Sequence, residues 1–160
     1  MPVTRNSLEE SICRQSVELL NTHLAASIDL KGQVKHAHWN IEGPAFYGLH
    51  TLFDLVASVV DAFTDQLAER VRVLGGAAEG TIQNATSRSF LLPYPKQVDD
   101  EAKHVFVICG ALATFGESVR GAAARAAQIG DAGTADLFVE ILRNIDQQLW
   151  LVGSHSPPKA

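Results

Sequence analysis

The apolar positions of this chain fall into four long runs, each with a helical period. In the first, Leu8, Ile12, Leu19, Leu20, Leu24 and Ile28 share one face. Ser7-Leu8-Glu9-Glu10 fits a capping box at its start, and the pattern predicts a helix to about Trp39. Asn40 to Pro44 reads as a short turn. The second helix is predicted from about Phe46 to Leu74, with Gly75-Gly76 supplying the positive φ that helix ends favour. Its apolar residues, from Leu49 through Phe53, Val60 and Phe63 to Val71, cover a wider face than a surface helix needs.

Residues 77–97 lose the period at Gly80, Pro93 and Pro95, which predicts a long connection with one short helix around Ile82–Ser87. Asp99-Asp100-Glu101 then places acid where a helix dipole favours it. Val105, Ile108, Leu112, Phe115 and Val119 continue that helix to a break at Gly130–Gly133. The last helix carries Leu137, Phe138, Ile141, Ile145, Leu149 and Val152. Short, long and short connections give two antiparallel pairs joined by a crossover. The expected fold is all-α, a four-helix bundle forming one domain over residues 1–160, with loose ends at about 1–6 and 153–160.

Composition changes this picture little. The chain has 160 residues, 46% hydrophobic and 19% charged, with a formal net charge of -5. That balance disfavours nucleic acid and favours cations. The first residues lack a secretory signal, and no uninterrupted apolar run reaches the ~18 residues of a membrane span. A cytoplasmic protein without a membrane partner is expected. Cys13 and Cys109 match no zinc or redox spacing and are expected to be reduced and buried.

The candidate chemistry lies on the second helix. At about 100° per residue, His50, Asp54, Asp61, Asp65 and Glu69 share one stripe, within which the helix has no Lys or Arg. His50 with Asp54, and Asp65 with Glu69, are i,i+4 pairs that can each face one ion. His50 and Glu69 are nevertheless roughly 28 Å apart along the axis, too far to share a metal. An antiparallel second copy solves this. The numbers 50 and 69, and also 54 and 65, sum to 119. A two-fold axis between Val59 and Val60 therefore sets His50 against Glu69 and Asp54 against Asp65. Val56, Val59, Val60 and Phe63 are expected to supply apolar surface there. His36 and His38 end the first helix, and only one of them can face this stripe. Imidazole and carboxylate without thiolate suit iron, and also zinc or manganese. The competing reading is a charged dimer seam satisfied by interhelical hydrogen bonds.

The stretch K-H-A-H-W-N-I-E-G-P-A-F-Y-G-L-H-T-L-F-D, followed by D-Q-L-A-E-R-V-R-V-L-G-G, resembles the Dps-type mini-ferritins. So do Y-P in the long connection and T-A-D-L-F and L-W in the last helix, so that the likeness covers most of the chain. The resemblance implies a ferritin-like bundle assembled into a hollow dodecamer. It implies oxidation of Fe(II), preferably with hydrogen peroxide rather than oxygen, and storage of Fe(III) mineral. His38, His50 and Asp54 of one chain, with Asp65 and Glu69 of its mate, would be metal ligands and catalytic residues. Trp39 would lie near the iron and take up stray oxidising equivalents; core packing is its alternative role. Asp131 and Asp136 would line an iron-entry pore, although the dipole of the last helix accounts for acid there equally well.

Two features depart from that likeness or compete with it. Many of these proteins bind DNA through a Lys-rich tail, whereas residues 1–6 carry only Arg5 and residues 153–160 only Lys159. Direct DNA compaction, with a nucleoid location, is thus the alternative function and not the expected one. Glu101 and His104 spell a single E-x-x-H, of which larger ferritins need two copies. It is read as helix-start chemistry. His23 is expected to be partly buried and His155 solvated.

Overall fold

The computed structural model describes residues 6–156, and among them every regular element is helical. The helices are α1 (Glu10–Asn40), α2 (Phe46–Val73), α3 (Ile82–Arg88), α4 (Glu101–Gln128) and α5 (Ala132–Gly153). α1 packs on α2 and α4 on α5, each pair joined by a short turn, with the α3-containing connection crossing between the pairs. The expected four-helix bundle with one crossover is the observed fold. The predicted loose ends fall largely on residues 1–5 and 157–160, outside the described residues; Gly153 itself closes α5.

Apolar burial holds the bundle together. Phe53 and Phe63 of α2, Phe115 of α4 and Phe138 of α5 are its largest buried side chains, joined by Leu20, Leu24, Leu30, Leu67 and Ile108. Each such side chain contributes about 1.5–3 kcal/mol relative to exposure. α2 and α4 are long and apolar enough, at mean hydropathy 1.3, to match membrane spans by length and composition. Both instead turn an apolar face into this core.

The helix ends differ from expectation at one place. α1 begins at Glu10 with Glu9 as its N-cap and without a side-chain cap bond, so the Ser7–Glu10 capping box does not form. Asn6 instead accepts from the Leu8 amide (3.1 Å). Elsewhere the local chemistry is as read. Asp100 caps α4 through the Lys103 amide (2.7 Å), Thr81 caps α3, and Gly75 closes α2 at φ +83°.

The crossover is fastened to α1 by polar contacts. Asn21 bonds the Ala77 carbonyl and the Glu79 amide, Ser89 donates to Asp29, and Gln33 donates to the Leu92 carbonyl. Arg88 of α3 pairs with Glu18 and Glu79. At the far end the Tyr94 hydroxyl donates to His104 Nδ1 (2.5 Å). His23, expected to be partly buried, is buried among Phe90, Phe115 and Phe138. Its Nδ1 donates to the Leu19 carbonyl and its Nε2 accepts from Ser118. Cys13 and Cys109 are free thiols; Cys13 is buried, but Cys109 only partly.

Candidate metal site

The short α1–α2 turn sets the end of α1 beside the start of α2. His38 and His50 stack there with ring centroids 3.8 Å apart and planes 22° from parallel. Their hydrogen bonds are reciprocal: His38 Nδ1 donates to the His50 carbonyl (2.7 Å), and His50 Nδ1 donates to the His38 carbonyl (2.9 Å). A backbone carbonyl can only accept, so each Nδ1 carries a proton, and in the neutral ring each Nε2 keeps a lone pair. Two imidazoles are thereby fixed in the tautomer a metal ligand needs. His36 takes the other side of α1, against the Tyr94 ring (4.7 Å). Of the two histidines, His38 is the one that faces the stripe.

Asp54 lies one turn beyond His50, exposed, with Lys35 Nζ at 2.7 Å from its carboxylate. The Lys35 hydrogen bond first, then the Lys35 charge and the nearby His38 and His50, hold the Asp54 carboxyl below the usual carboxylate range. Lys31 Nζ pairs likewise with Asp61 (2.6 Å). Sequence reasoning found no cation on the α2 stripe and so missed both, because they come from α1. Their spacing, four apart and with Lys35 three before His38, was the available signal. Asp61 and Asp54 are thus both engaged by lysines of α1.

Asp65 and Glu69 are exposed on the same face, toward the other end of α2. Asp65 borders an open depression of ≈ 630 Å³ that Leu24, Ser58, Asp61 and Ala68 also line. Among the described residues, no three His, Cys, Asp or Glu of one chain converge as a metal cluster. His38 and His50 meet at one end, with Asp54 one turn further along α2, and Asp65 and Glu69 lie toward the other end, so one chain does not unite them. The apolar seam expected between the ends is corrected: Val56 (0% exposed), Val60 (0%) and Phe63 (2%) belong to the bundle's own core. The exposed stretch of α2 presents Leu55, Ser58 and Ala62 instead.

Burial and contacts also bear on the remaining candidates. Trp39 is 69% exposed, which excludes core packing, and Lys35 Nζ lies 5.7 Å from its ring centroid. Asp131 is 1% exposed and does not line a pore in this chain. Its carboxylate caps α5 through the Thr134 amide and hydroxyl and receives Arg70 Nη2 (2.8 Å). Asp136 is exposed on α5. Glu101 of the lone E-x-x-H accepts from the Ala45 amide (3.0 Å), and His104 is 2% exposed and bonded to Tyr94, so this pair fastens the α1–α2 turn and the crossover to α4.

Comparison with known proteins gives the same architecture. The ferritin-like domain family matches residues 17–156. The DNA protection during starvation protein of Agrobacterium fabrum is 33% identical over 157 residues, covering 98% of this chain and 97% of that protein. Among solved structures, DpsC from Streptomyces coelicolor aligns with a TM-score of 0.92 at 30% identity, over 99% of this chain and 94% of its own. An archaeal Dps homologue from Halobacterium salinarum gives 0.90 at 25% identity, over 96% and 86%. A fold and a sequence matched over nearly their whole length place this chain in the Dps family of ferritin-like proteins.

Proposed function

We propose that this protein oxidises Fe(II) at centres shared between two-fold-related copies and stores the product inside a hollow dodecamer. The observation that carries this reading is the pairing of His38 with His50. Both rings are locked with Nε2 lone pairs free, beside the Asp54 carboxylate. Nitrogen and oxygen donors without thiolate fit iron as substrate, and fit zinc or manganese as competitors. His38, His50 and Asp54 would hold it from one chain, and Asp65 and Glu69 from the mate, whose ends of α2 the 119 register brings together.

The reaction balances with hydrogen peroxide as oxidant. Two Fe(II) ions give one electron each, the O–O bond breaks, two protons are taken up and two waters form. The chain's share is to position the ions and to neutralise charge with carboxylates as Fe(III) develops. Trp39, exposed beside the same half-site, is placed to give an electron to any radical that escapes. Asp136 is the remaining candidate for an iron-entry pore. Removing Fe(II) and peroxide together, in the cytoplasm, would protect DNA without binding it.

Stopped-flow absorbance of ferric product after mixing Fe(II) and peroxide tests the site. His50→Ala combined with Asp54→Ala should slow the initial rate about 10–100-fold while the assembly keeps its mass. An unchanged initial rate in an intact assembly would overturn the assignment.

A further inference from the structure

Lys35 belongs to no ligand set, yet its ammonium lies 2.7 Å from Asp54 and 5.7 Å from the Trp39 ring centroid. It reaches Asp54 from α1; its side chain is 26% exposed and that of Asp54 57%, so the pair lies at the surface, open to an arriving ion. Its position in the sequence, one turn before Trp39 and three residues before His38, lets one flexible stem touch carboxylate and indole alike. A divalent ion held by His38, His50 and Asp54 would share the carboxylate whose Oδ1 now receives Lys35. An ammonium and a divalent cation on one carboxylate repel each other.

We infer that Lys35 is a resident cation of the half-site: lying over Trp39, it holds Asp54 in place until a divalent metal arrives, then yields the carboxylate and keeps the indole face. The inference rests on the site reading above and adds a regulating residue to it. While the metal is away, Lys35 satisfies a carboxylate that would otherwise repel its neighbours on the stripe. When the metal enters, the ammonium loses the carboxylate and keeps only the indole face, which attracts cations more weakly. The half-site therefore sets a threshold for occupancy, and weakly bound monovalent ions cannot displace the lysine. Lys31 on Asp61 repeats the pairing one turn earlier along α1, away from the histidines, and stays in place.

The test uses Zn(II), which has no redox chemistry, and the intact assembly. Calorimetric titration of the native protein should show saturable binding that His50→Ala with Asp54→Ala abolishes. Lys35→Met, which keeps the stem and removes the charge, should bind Zn(II) about fivefold more tightly, the scale of a partly exposed charge pair. Lys35→Arg, which keeps the charge, should stay within about twofold of the native affinity. In a Trp150→Phe background, Zn(II) should change the Trp39 emission, and Lys35→Met should remove most of that change. Equal or weaker Zn(II) binding by an intact Lys35→Met assembly overturns the role of Lys35 and leaves the site reading standing. Native protein with no saturable binding sensitive to the His50 and Asp54 substitutions overturns both. An emission change that survives Lys35→Met overturns the coupling of Lys35 to Trp39.

Discussion

At the scale of single residues, most polar side chains inside this bundle are committed to a partner, and substituting those should be costly. Asp131 is the clearest case. Burial alone would raise its carboxyl, but the Thr134 hydroxyl and amide and the Arg70 guanidinium outweigh that and leave it below the ordinary carboxylate value. Asp131→Ala removes a helix cap and strands Arg70, and should cost about 3 kcal/mol by chemical denaturation. His23 gives a pH dependence of known sign. Burial lowers its pKa from 6.5, so the folded chain keeps it neutral while the unfolded chain takes up a proton. Stability from this group is therefore present above about pH 6.5 and is lost as the pH falls below it, at up to about 1.4 kcal/mol per pH unit. Comparing unfolding of the native protein and His23→Gln between pH 7.5 and pH 5.5 should show the shallower loss in the variant.

At the scale of elements, the α1–α2 turn decides whether the two imidazoles meet. Gly43 has φ +139°, and a Cβ there would run into the Glu101 carboxylate that anchors the Ala45 amide. Gly43→Ala should therefore cost about 1–2 kcal/mol and slow iron oxidation, read by melting and by stopped flow on the same preparation. Much of this level was legible in advance. Helical periods marked α1, α2, α4 and α5 to within a residue or two at most ends, because amphipathic burial is what makes them helices. The i,i+4 pairs on α2 marked His50, Asp54, Asp65 and Glu69 for the same reason. What could not be read was anything contributed by a different helix. Lys31 and Lys35 reach the α2 stripe from α1, Arg70 takes Asp131 from α5, and Glu101 secures a turn more than fifty residues away. The apolar seam failed for a related reason: periodicity shows that Val56, Val60 and Phe63 share a face, but not that this face meets the chain's own core.

At the scale of the whole molecule, the site's parts are divided between ends of α2 that one chain cannot bring together. Leu55, 53% exposed, and Ala62 lie on the face where a second copy would dock. Leu55→Arg should yield folded, smaller species whose initial rate of Fe(II) oxidation falls at least about tenfold, with native mass and circular dichroism showing that the helices survive. A dissociated yet fully active chain would sink the shared-site reading. The clamp between Arg70 and Asp131 has one more consequence. Arg70 follows Glu69 directly, so the acidic end of α2 is moored to the first turn of α5, while the imidazole end is moored to α1 and, through Glu101, to α4. On the proposed shared-centre reading, the two halves of each centre have separate mechanical supports, in separate chains. Loosening α5 in one copy should blunt a centre whose histidines belong to its neighbour. Assemblies mixed from native and Asp131→Ala chains would then contain native histidine sets that work poorly, a defect inherited across the interface.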